Sequence, residues 1–218
     1  PLEQFLWSKF YNTAYIQLPD AILWIMNTPT ECYTIVPAGR KEDLQQNFNQ
    51  IQQYFRDILG KKMAMYLVDE EAVQMLNLPP EQYIVEEQRR YFDYIYDAGK
   101  LRTLSGRAYH KKKNHVNGFL KEYGNRSEFR MLTAVDREEV LAFLRRWEVM
   151  RGLQDDYDRD AFEMQGIQYV LEHGEQIPFL MGGVYVDGAL EAFSIGSYAE
   201  AKKMAVIHIE KANPDIRG

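Results

Sequence analysis

The sequence predicts a protein of the α+β class, and two observations lead to this prediction. Segments whose apolar residues alternate or run continuously, as in strands, occur in both halves of the chain beside segments with apolar residues at helical spacing. The second half also follows the order strand, helix, helix and three strands. We therefore expect mixed sheets flanked by helices. A chain of 218 residues is long enough for one large domain or two small ones.

The first half is predicted to contain short strands around one long helix. Apolar residues recur at helical spacing across 42–59, and Gly60 is expected to end this helix. A short helix at 70–76 comes before Pro79 and Pro80, which cannot continue it. The predicted strands are 14–17, 21–26, 32–36 and 63–68, with two more around 86–90 inside the aromatic stretch 83–97.

The second half is predicted to begin with a strand at 127–132. Thr133 and Asp136 have the spacing of a capping box, in which each side chain accepts a backbone hydrogen bond at the start of a helix. A second helix at 158–173, with Phe162, Tyr169 and Val170 in its apolar stripe, is expected to end at Gly174. Three strands follow at 179–186, 190–198 and 203–211, the first two joined by an Asp187-Gly188 hairpin turn.

Composition excludes several classes of protein. The formal net charge is −6, and the longest purely apolar run, AILWIM, is far shorter than the roughly 20 residues of a membrane-spanning helix. The start of the chain lacks the order of features of a secretory signal, and a single cysteine, Cys32, cannot form an internal disulfide. We expect a cytoplasmic protein. Because the sequence starts at Pro1 without an initiator Met and stops at a turn-like NPDIRG, we also expect a piece of a longer polypeptide.

One long segment of this acidic chain contains no acidic residue. Between Asp97 and Glu122 there is no carboxylate. The same segment carries seven cations, which are Lys100, Arg102, Arg107, Lys111, Lys112, Lys113 and Lys121. A solvated amphipathic helix would explain them, since charge runs are usually exposed. The missing carboxylates favour an anion-binding site instead, for the phosphates of an acyl carrier or the acceptor stem of an aminoacyl-tRNA. Duplex DNA is not an expected partner, because the chain is acidic and has no groove-reading motif.

As a helix across 107–123, this segment presents two faces. The apolar face, expected to pack on a core, contains Tyr109, Val116, Phe119, Leu120 and Tyr123. Lys112 and Lys113 flank it. The opposite face contains His110, Lys111, Asn114, Asn117 and Lys121. With Arg102 and Arg107 at its entry, this outer face is the candidate anion site.

The last strand offers candidates for a general base. Strict alternation would bring Met204, Val206, His208 and Glu210 to one face. An imidazole or carboxylate there could remove a proton from an attacking amine, with Glu210 the stronger candidate because it lies nearer the end of the strand. The alternative is a strand end in solvent, with His208 satisfied by a neighbour. We find no metal-ligand spacing, Ser–His–Asp arrangement or phosphate-binding loop.

The segments GGVYVDGALEAFSIGSY and MAVIHIEKANPDIRG resemble the paired strands and following loop of an N-acetyltransferase-like (GNAT) domain. In that fold, backbone N–H groups after the fourth strand hold the pyrophosphate of an acyl carrier. The resemblance implies that Asn213, Arg217 and Gly218 belong to this loop, with Gly218 allowing close approach and Arg217 supplying charge.

A more specific resemblance rests on WSKFYNTAY, KLRTLSGRAYHKKKNHVNGFLKEY and HIEKANPDIRG. Together they resemble an uncharacterised bacterial family (DUF2156-like), related to the C-terminal domain of phosphatidylglycerol lysyltransferases and more distantly to Fem aminoacyltransferases. This resemblance implies tandem GNAT-like modules at 1–104 and 125–218, joined by a basic helix at 105–124, with the first missing its N-terminal part and the second truncated at its C-terminus.

The implied activity is transfer of an acyl or aminoacyl group from CoA or aminoacyl-tRNA to an amine acceptor. Lysine transfer to lipid is not expected to carry over, because the membrane-embedded half of those enzymes is not part of this sequence. Two alternatives remain open: a non-catalytic module that binds RNA or another polyanion, and a degenerate transferase. The acyl group and the oligomeric state are not predicted.

Overall fold

The computed structural model describes residues 2–151, 157–199 and 203–217. Contacts divide the chain into two compact units. One is Ser8–Tyr94, and the other combines Pro1–Trp7 with Ile95–Gly218.

Elements follow one another in an α+β order. Up to residue 76 they are α1 (Leu2–Leu6), β1 (Ala14–Gln17), β2 (Ala21–Asn27), β3 (Cys32–Ile35), β4 (Ala38–Gly39), α2 (Leu44–Asp57), β5 (Met65–Tyr66) and α3 (Glu70–Leu76). The remaining helices and strands are α4 (Ala98–Thr103), α5 (His110–Tyr123), β6 (Ser127–Leu132), α6 (Arg137–Arg151), α7 (Tyr157–Glu172), β7 (Leu180–Val186), β8 (Ala189–Ala199) and β9 (Met204–Ala212). Short 3₁₀ turns lie at Lys41–Asp43, Arg89–Tyr91, Arg107–Tyr109 and Ala134–Asp136.

The unit Ser8–Tyr94 is a small mixed sheet covered by α2. The strand order is β1-β2-β3-β5, with β4 also paired to β2, and only the β3–β5 pair among these is parallel. The apolar face of α2 packs Ile51 and Phe55 against Leu23 and Ile25 of β2. Burial of these side chains stabilises the pairing of helix and sheet.

The second unit is an antiparallel sheet covered by helices. Its strands lie in sequence order, β6-β7-β8-β9, and α6 and α7 connect β6 to β7. A large apolar core joins this sheet to the helices, including Phe143 and Leu144 of α6, Ile167 and Val170 of α7, and Ile195 of β8. Helix α1 packs on α7, so the first residues of the chain belong to this core.

Two bulges interrupt this sheet. Tyr185 pairs with Leu190 but Val184 pairs with Ala192, which leaves Glu191 as an extra residue. In β9, Ile195 pairs with Ile209 and Gly196 with Ile207, so His208 is the extra residue. An extra residue inverts the alternation of side chains beyond it.

Most predicted elements are present. The strand 14–17, the helix 70–76 and the strand 127–132 have the predicted bounds, and the three last strands and both long helices of the second half lie within a few residues of theirs. Asp187 and Gly188 both have positive φ, 52° and 82°, as the hairpin requires. The capping box is formed, with the side chain of Asp136 accepting from the backbone N–H of Thr133 at 2.7 Å.

Three predictions of local structure were wrong. The two strands expected around 86–90 do not form, because the aromatic residues there are largely exposed and find no partner strand. The strand expected at 63–68 is confined to Met65–Tyr66. Strict alternation in the last strand fails at His208, since the bulge brings Glu210 to the face of Ala205 and Ile207 rather than to that of Met204 and Val206.

Candidate functional site

The basic segment is formed by α4, the turn Arg107–Tyr109 and α5. The six side chains predicted to bind an anion are all exposed, namely Arg102, Arg107, His110, Lys111, Asn114 and Lys121. Among the described residues none of their charged groups forms an ion pair, whereas Arg126 is paired with Asp187 at 2.9 Å and Arg130 with Glu128 at 2.8 Å. The positive charge of the outer face is therefore not neutralised within the described chain.

The apolar face of α5 differs from its prediction. Only Tyr123 is buried, and Phe119, whose ring centroid lies 5.3 Å from that of Tyr123, is half-buried. Val116 and Leu120 remain 43% and 55% exposed. The expectation that the whole stripe packs on a core is wrong, because Tyr109 and Phe119 are only half-buried while Val116 and Leu120 are exposed.

Tyr123 connects this helix to the turn that follows β9. Its pKa is raised, first by a hydrogen bond with Glu122, and the backbone amide of Arg217 acts on the same hydroxyl in the opposite direction. The guanidinium of Arg126 lies 5.1 Å from the ring of Tyr123. The backbone of Arg217 therefore lies near the C-terminal end of α5, on the side of the helix opposite its predicted anion-binding face.

Asn213 holds that turn together. Its Nδ2 donates to Glu191 Oε2 at 2.7 Å, and its Oδ1 accepts from the backbone N–H of Asp215 at 2.9 Å. Its backbone accepts from Ile216 and donates to the carbonyl of Glu191. These contacts occupy both polar ends of the side chain, so Asn213 positions the turn. Arg217 is exposed, and Gly218 lies outside the described residues.

A mostly buried ion pair lies directly before the turn. Lys211 Nζ is 2.6 Å from Glu163 Oε2, and the two side chains are only 12% and 16% exposed. The same ammonium lies 4.2 Å from the ring centroid of Trp147, whose Nε1 donates to the carbonyl of Ala212. This cluster fixes the end of β9 against α6 and α7.

Glu191 completes the support on the other side of the turn. Its bulged position brings its carboxylate to Asn213 and within 3.5 Å of Arg146, which also donates to the carbonyl of Leu190. The sequence interpretation did not include these supporting residues. Alternation puts Lys211 on one face of the strand with Ile207 and Ile209, which could have indicated a buried partner, but only the tertiary structure identifies Glu163.

The two candidate bases have different surroundings. His208 Nε2 lies 2.9 Å from Ser197 Oγ, and burial lowers the pKa of this imidazole below its ordinary value. The imidazole is therefore neutral at neutral pH and can accept a proton. Glu210 is exposed and pairs across the sheet with Ser194. The bulge separates the two, so they do not form one regular face.

Within the described ranges, no group of three or more His, Cys, Asp and Glu side chains is arranged to hold a metal ion. No helix that the structure describes is both long enough and apolar enough to cross a membrane.

Comparison with known families accounts for nearly the whole chain. Residues 3–218 match the profile described as phosphatidylglycerol lysyltransferase, C-terminal. The chain belongs to this family. Among curated proteins, an uncharacterized protein of Mycoplasmoides gallisepticum is 29% identical over 108 residues, which are 49% of this chain and 33% of that protein. The chain thus spans about a third of that relative.

Solved structures resemble this phosphatidylglycerol lysyltransferase C-terminal family member over almost its full length. A conserved protein of unknown function from Bacteroides thetaiotaomicron is 24% identical with a TM-score of 0.84, covering 99% of this chain and 72% of the other. The C-terminal domain of a protein assigned as a lysylphosphatidylglycerol synthetase from Agrobacterium fabrum is 16% identical with a TM-score of 0.62, covering 99% and 65%. L-PGS of Bacillus licheniformis is 11% identical with a TM-score of 0.60, covering 98% and 63%. At these identities the likeness is one of fold.

Proposed function

We propose that this chain is the carrier-binding and catalytic part of an acyl or aminoacyl transferase. It takes the group from aminoacyl-tRNA or a CoA thioester and transfers it to an amine acceptor. The chain is proposed to contain two GNAT-like modules in tandem, at 1–104 and 125–218, joined by the basic helix at 105–124. The single observation that supports this function most strongly is membership of the phosphatidylglycerol lysyltransferase C-terminal family across residues 3–218.

The proposed carrier site includes two surfaces, which are the outer face of α5, represented by Lys121, and the turn that ends in Arg217. A carrier with several phosphates suits a surface whose cations have no carboxylate partner, because binding replaces the counterions that those cations and phosphates otherwise hold. Asn213, held by Glu191, keeps the turn in one conformation before the carrier arrives.

The reaction needs few special side chains. The amine nitrogen attacks the ester or thioester carbonyl, a tetrahedral intermediate forms, and its collapse breaks the bond to the ribose oxygen or the sulfur. The nitrogen loses one proton to a base, and the leaving oxygen or sulfur receives one. Glu210 is our first choice for the base, because its carboxylate is exposed near the turn, and the neutral imidazole of His208 is the second.

Carrier binding is tested with the whole protein and four ligands: aminoacyl-tRNA, the same tRNA uncharged, CoA and acyl-CoA. Lys111→Ala/Lys121→Ala should weaken binding of the active carrier by roughly tenfold or more and reduce its dependence on salt. Lys61→Ala/Lys62→Ala is the matched control, since these two lysines are also exposed but lie in the unit Ser8–Tyr94. Equal affinity of the two double variants would argue against the outer face as the carrier site.

A second candidate function is a binding module for RNA without catalysis. The unpaired cations of the outer face favour it as much as they favour a carrier site. The two functions differ in one measurable way. A transferase should distinguish charged from uncharged tRNA or respond to acyl-CoA, whereas the module should bind both tRNA forms alike and ignore CoA. No response to any of the four ligands would contradict both.

A further inference from the structure

The stretch between α3 and α4 leaves backbone groups and apolar side chains uncovered. We call residues 84–92 the pairing segment. In the part of the chain that the structure describes, the backbone N–H groups of 84–88 donate to no other backbone group. Four apolar side chains of the segment are between 49% and 88% exposed, namely Ile84, Val85, Tyr91 and Phe92. β-branched and aromatic side chains on a backbone without ladder partners favour pairing with a further strand.

The pairing segment is held at its start but not beyond it. Just before it, the half-buried Tyr83 accepts a hydrogen bond from Gln52 Nε2 at 2.7 Å, and its ring centroid lies 5.8 Å from that of Phe48. Within the segment, the regular structure is one short turn, Arg89–Tyr91, closed by two backbone hydrogen bonds of 3.0 and 3.2 Å. Pairing with a strand replaces these two bonds by bonds across the ladder, so the segment gives up little structure when it pairs.

Charges in the middle of the segment follow an order that is complementary to itself when reversed. The order is Glu86-Glu87-Gln88-Arg89-Arg90, two acids and two bases about a central glutamine. The four charged side chains are exposed, and none of them forms an ion pair with another described residue. An antiparallel second copy presents the bases where the first copy presents the acids. Opposite charges that face each other across two strands stabilise their pairing.

One register satisfies all four charges. With Gln88 opposite Gln88 of the second copy, Glu86 lies opposite Arg90. Glu87 then lies opposite Arg89, and the two-fold symmetry repeats both pairs. A shift by one residue in either direction keeps only half of the opposite-charge pairs. Parallel pairing in register would bring like charges together, which destabilises strand pairing.

The apolar positions fit the same register. Val85 lies opposite Tyr91, and Ile84 lies opposite Phe92. Both are pairs of a β-branched with an aromatic side chain, which favour pairing of antiparallel strands. The alternation of a strand puts one such pair and one opposite-charge pair on each face. Charge and apolar pattern therefore select the same partner, which is a second copy of this chain.

We propose that two copies of this chain associate through their pairing segments, which form an antiparallel two-stranded ribbon with Gln88 on the two-fold axis. Each copy supplies the same surface to the other, so the contact closes as a dimer. The association goes beyond the transfer reaction and does not depend on it. Its residues belong to the unit Ser8–Tyr94 and lie outside the basic segment.

The first experiment measures the molar mass of the whole protein by sedimentation equilibrium. Because the contact is small and binds weakly, we expect the mass to rise from one chain towards two between roughly 1 and 300 µM. Glu86→Arg/Glu87→Arg makes the segment wholly basic, and Arg89→Glu/Arg90→Glu makes it wholly acidic. Each should weaken self-association by roughly a hundredfold or more, because like charges then face each other.

Two further samples test the pairing itself. An equimolar mixture of the basic and the acidic variant should associate as a heterodimer, because every cross-strand pair again has opposite charges. The fourfold variant Glu86→Arg/Glu87→Arg/Arg89→Glu/Arg90→Glu should form a homodimer like the unaltered protein. Lys61→Glu/Lys62→Glu reverses two exposed charges elsewhere in the same unit and should leave association unchanged. Circular dichroism checks that each variant is folded.

A disulfide tests the register in a background of Cys32→Ala, which leaves one thiol in each variant. Gln88→Cys should form a linked dimer on mild oxidation, because this position faces itself across the two-fold axis. Glu86→Cys is the matched control. Its two copies are four residues apart along the ribbon, about 14 Å, which is beyond the roughly 7 Å that a disulfide spans.

Three results would overturn the proposal. One is the mass of a single chain at every concentration, which would leave the segment to a different partner. Another is a fourfold variant, or a mixture of the two charge variants, that stays monomeric while the unaltered protein associates. The third is linkage of Glu86→Cys as efficient as that of Gln88→Cys, because parallel pairing in register would bring both positions onto themselves.

Discussion

His208 is the extra residue of a β-bulge, and this position determines its properties. Because the bulge lies beside Ser197, the imidazole is half-buried and hydrogen-bonded at 2.9 Å instead of facing solvent in a regular strand. Burial disfavours its charged form and lowers its pKa. Burial keeps the imidazole neutral, so that it can accept a proton. Burial also makes the stability of the fold depend on pH, because a charged imidazole is disfavoured there.

We predict that His208 lowers stability as the solution becomes acidic. Since its pKa in the folded protein is below the ordinary value of 6.5, the unfolded chain takes up the proton first as the pH falls. The stability that the neutral imidazole contributes above pH 6.5 is therefore lost as the pH falls below 6.5. His208→Gln should lose less of its free energy of unfolding than the unaltered protein when urea denaturation is compared at about pH 7 and pH 5. Parallel pH dependences of the two proteins would contradict this.

The sequence predicted some residues of the site but not how they are arranged. Alternation is a local rule. It correctly predicted the last strand, but it wrongly assigned Glu210 to the same regular face as His208. The bulge depends on pairing with β8, which no local pattern contains. In the same way, alternation placed Lys211 on a face with Ile207 and Ile209, but its partner Glu163 lies 48 residues away in the sequence.

Among the helices, α7 depends on a residue without a side chain. A Cβ at position 166 would overlap the carbonyl oxygen of Leu6, so Gly166 is what permits the close approach of α1 to α7. Gly118 of α5, by contrast, has no atom within 4 Å of the equivalent position. The lack of a side chain therefore allows α7 to pack against α1 at Gly166, whereas at Gly118 it serves no packing contact in α5.

We predict opposite signs for the two alanine variants. Gly166→Ala should lower the free energy of unfolding by roughly 1–3 kcal/mol, because α1 must move to relieve the overlap. Gly118→Ala should raise it by roughly 0.5–1 kcal/mol, because alanine is the better helix former and the space is free. Urea denaturation measures both. A Gly166→Ala protein as stable as the original would show that α1 does not pack closely on α7.

A third prediction concerns the ion pair between α7 and β9. Glu163→Leu should lower the free energy of unfolding by roughly 2–4 kcal/mol, because Lys211 would keep its charge in a mostly buried position. Glu163→Leu/Lys211→Met should recover most of this loss, since neither charge remains. A double variant as unstable as the single one would show that the packing around Trp147, and not the charge, decides stability at the end of β9.

At the level of helices and strands, prediction succeeded where the local pattern was strong. The helix 70–76 was predicted with Pro79 and Pro80 as its limit, and in the structure Asp69 caps its start and a left-handed Asn77 ends it. The stretch 83–97 was misjudged because β-branched and aromatic residues favour strands only when a neighbouring strand is available. The apolar stripe of α5 was recognised, but a helical pattern cannot tell whether the stripe meets a core or a partner outside the chain.

Taken as one molecule, the chain combines two compact units with a strongly uneven charge distribution. The net charge is −6, yet the segment between Asp97 and Glu122 is entirely basic among its charged residues. The family profile matches residues 3–218, which is nearly the whole chain. The resemblance of three sequence motifs was sufficient to predict this family. Carrier and acceptor are proposals that depend on individual surfaces.

The transfer reaction itself provides the most direct test. The whole protein is incubated with an amine acceptor, together with tRNA that carries a labelled lysyl group in one series and with labelled acyl-CoA in another. We expect the label to leave one of these carriers faster than without protein and to appear on the acceptor, with Glu210→Gln slowing transfer about a hundredfold or more. If the protein binds charged tRNA or acyl-CoA but accelerates loss of neither acyl group, the transferase function is contradicted and a binding module remains.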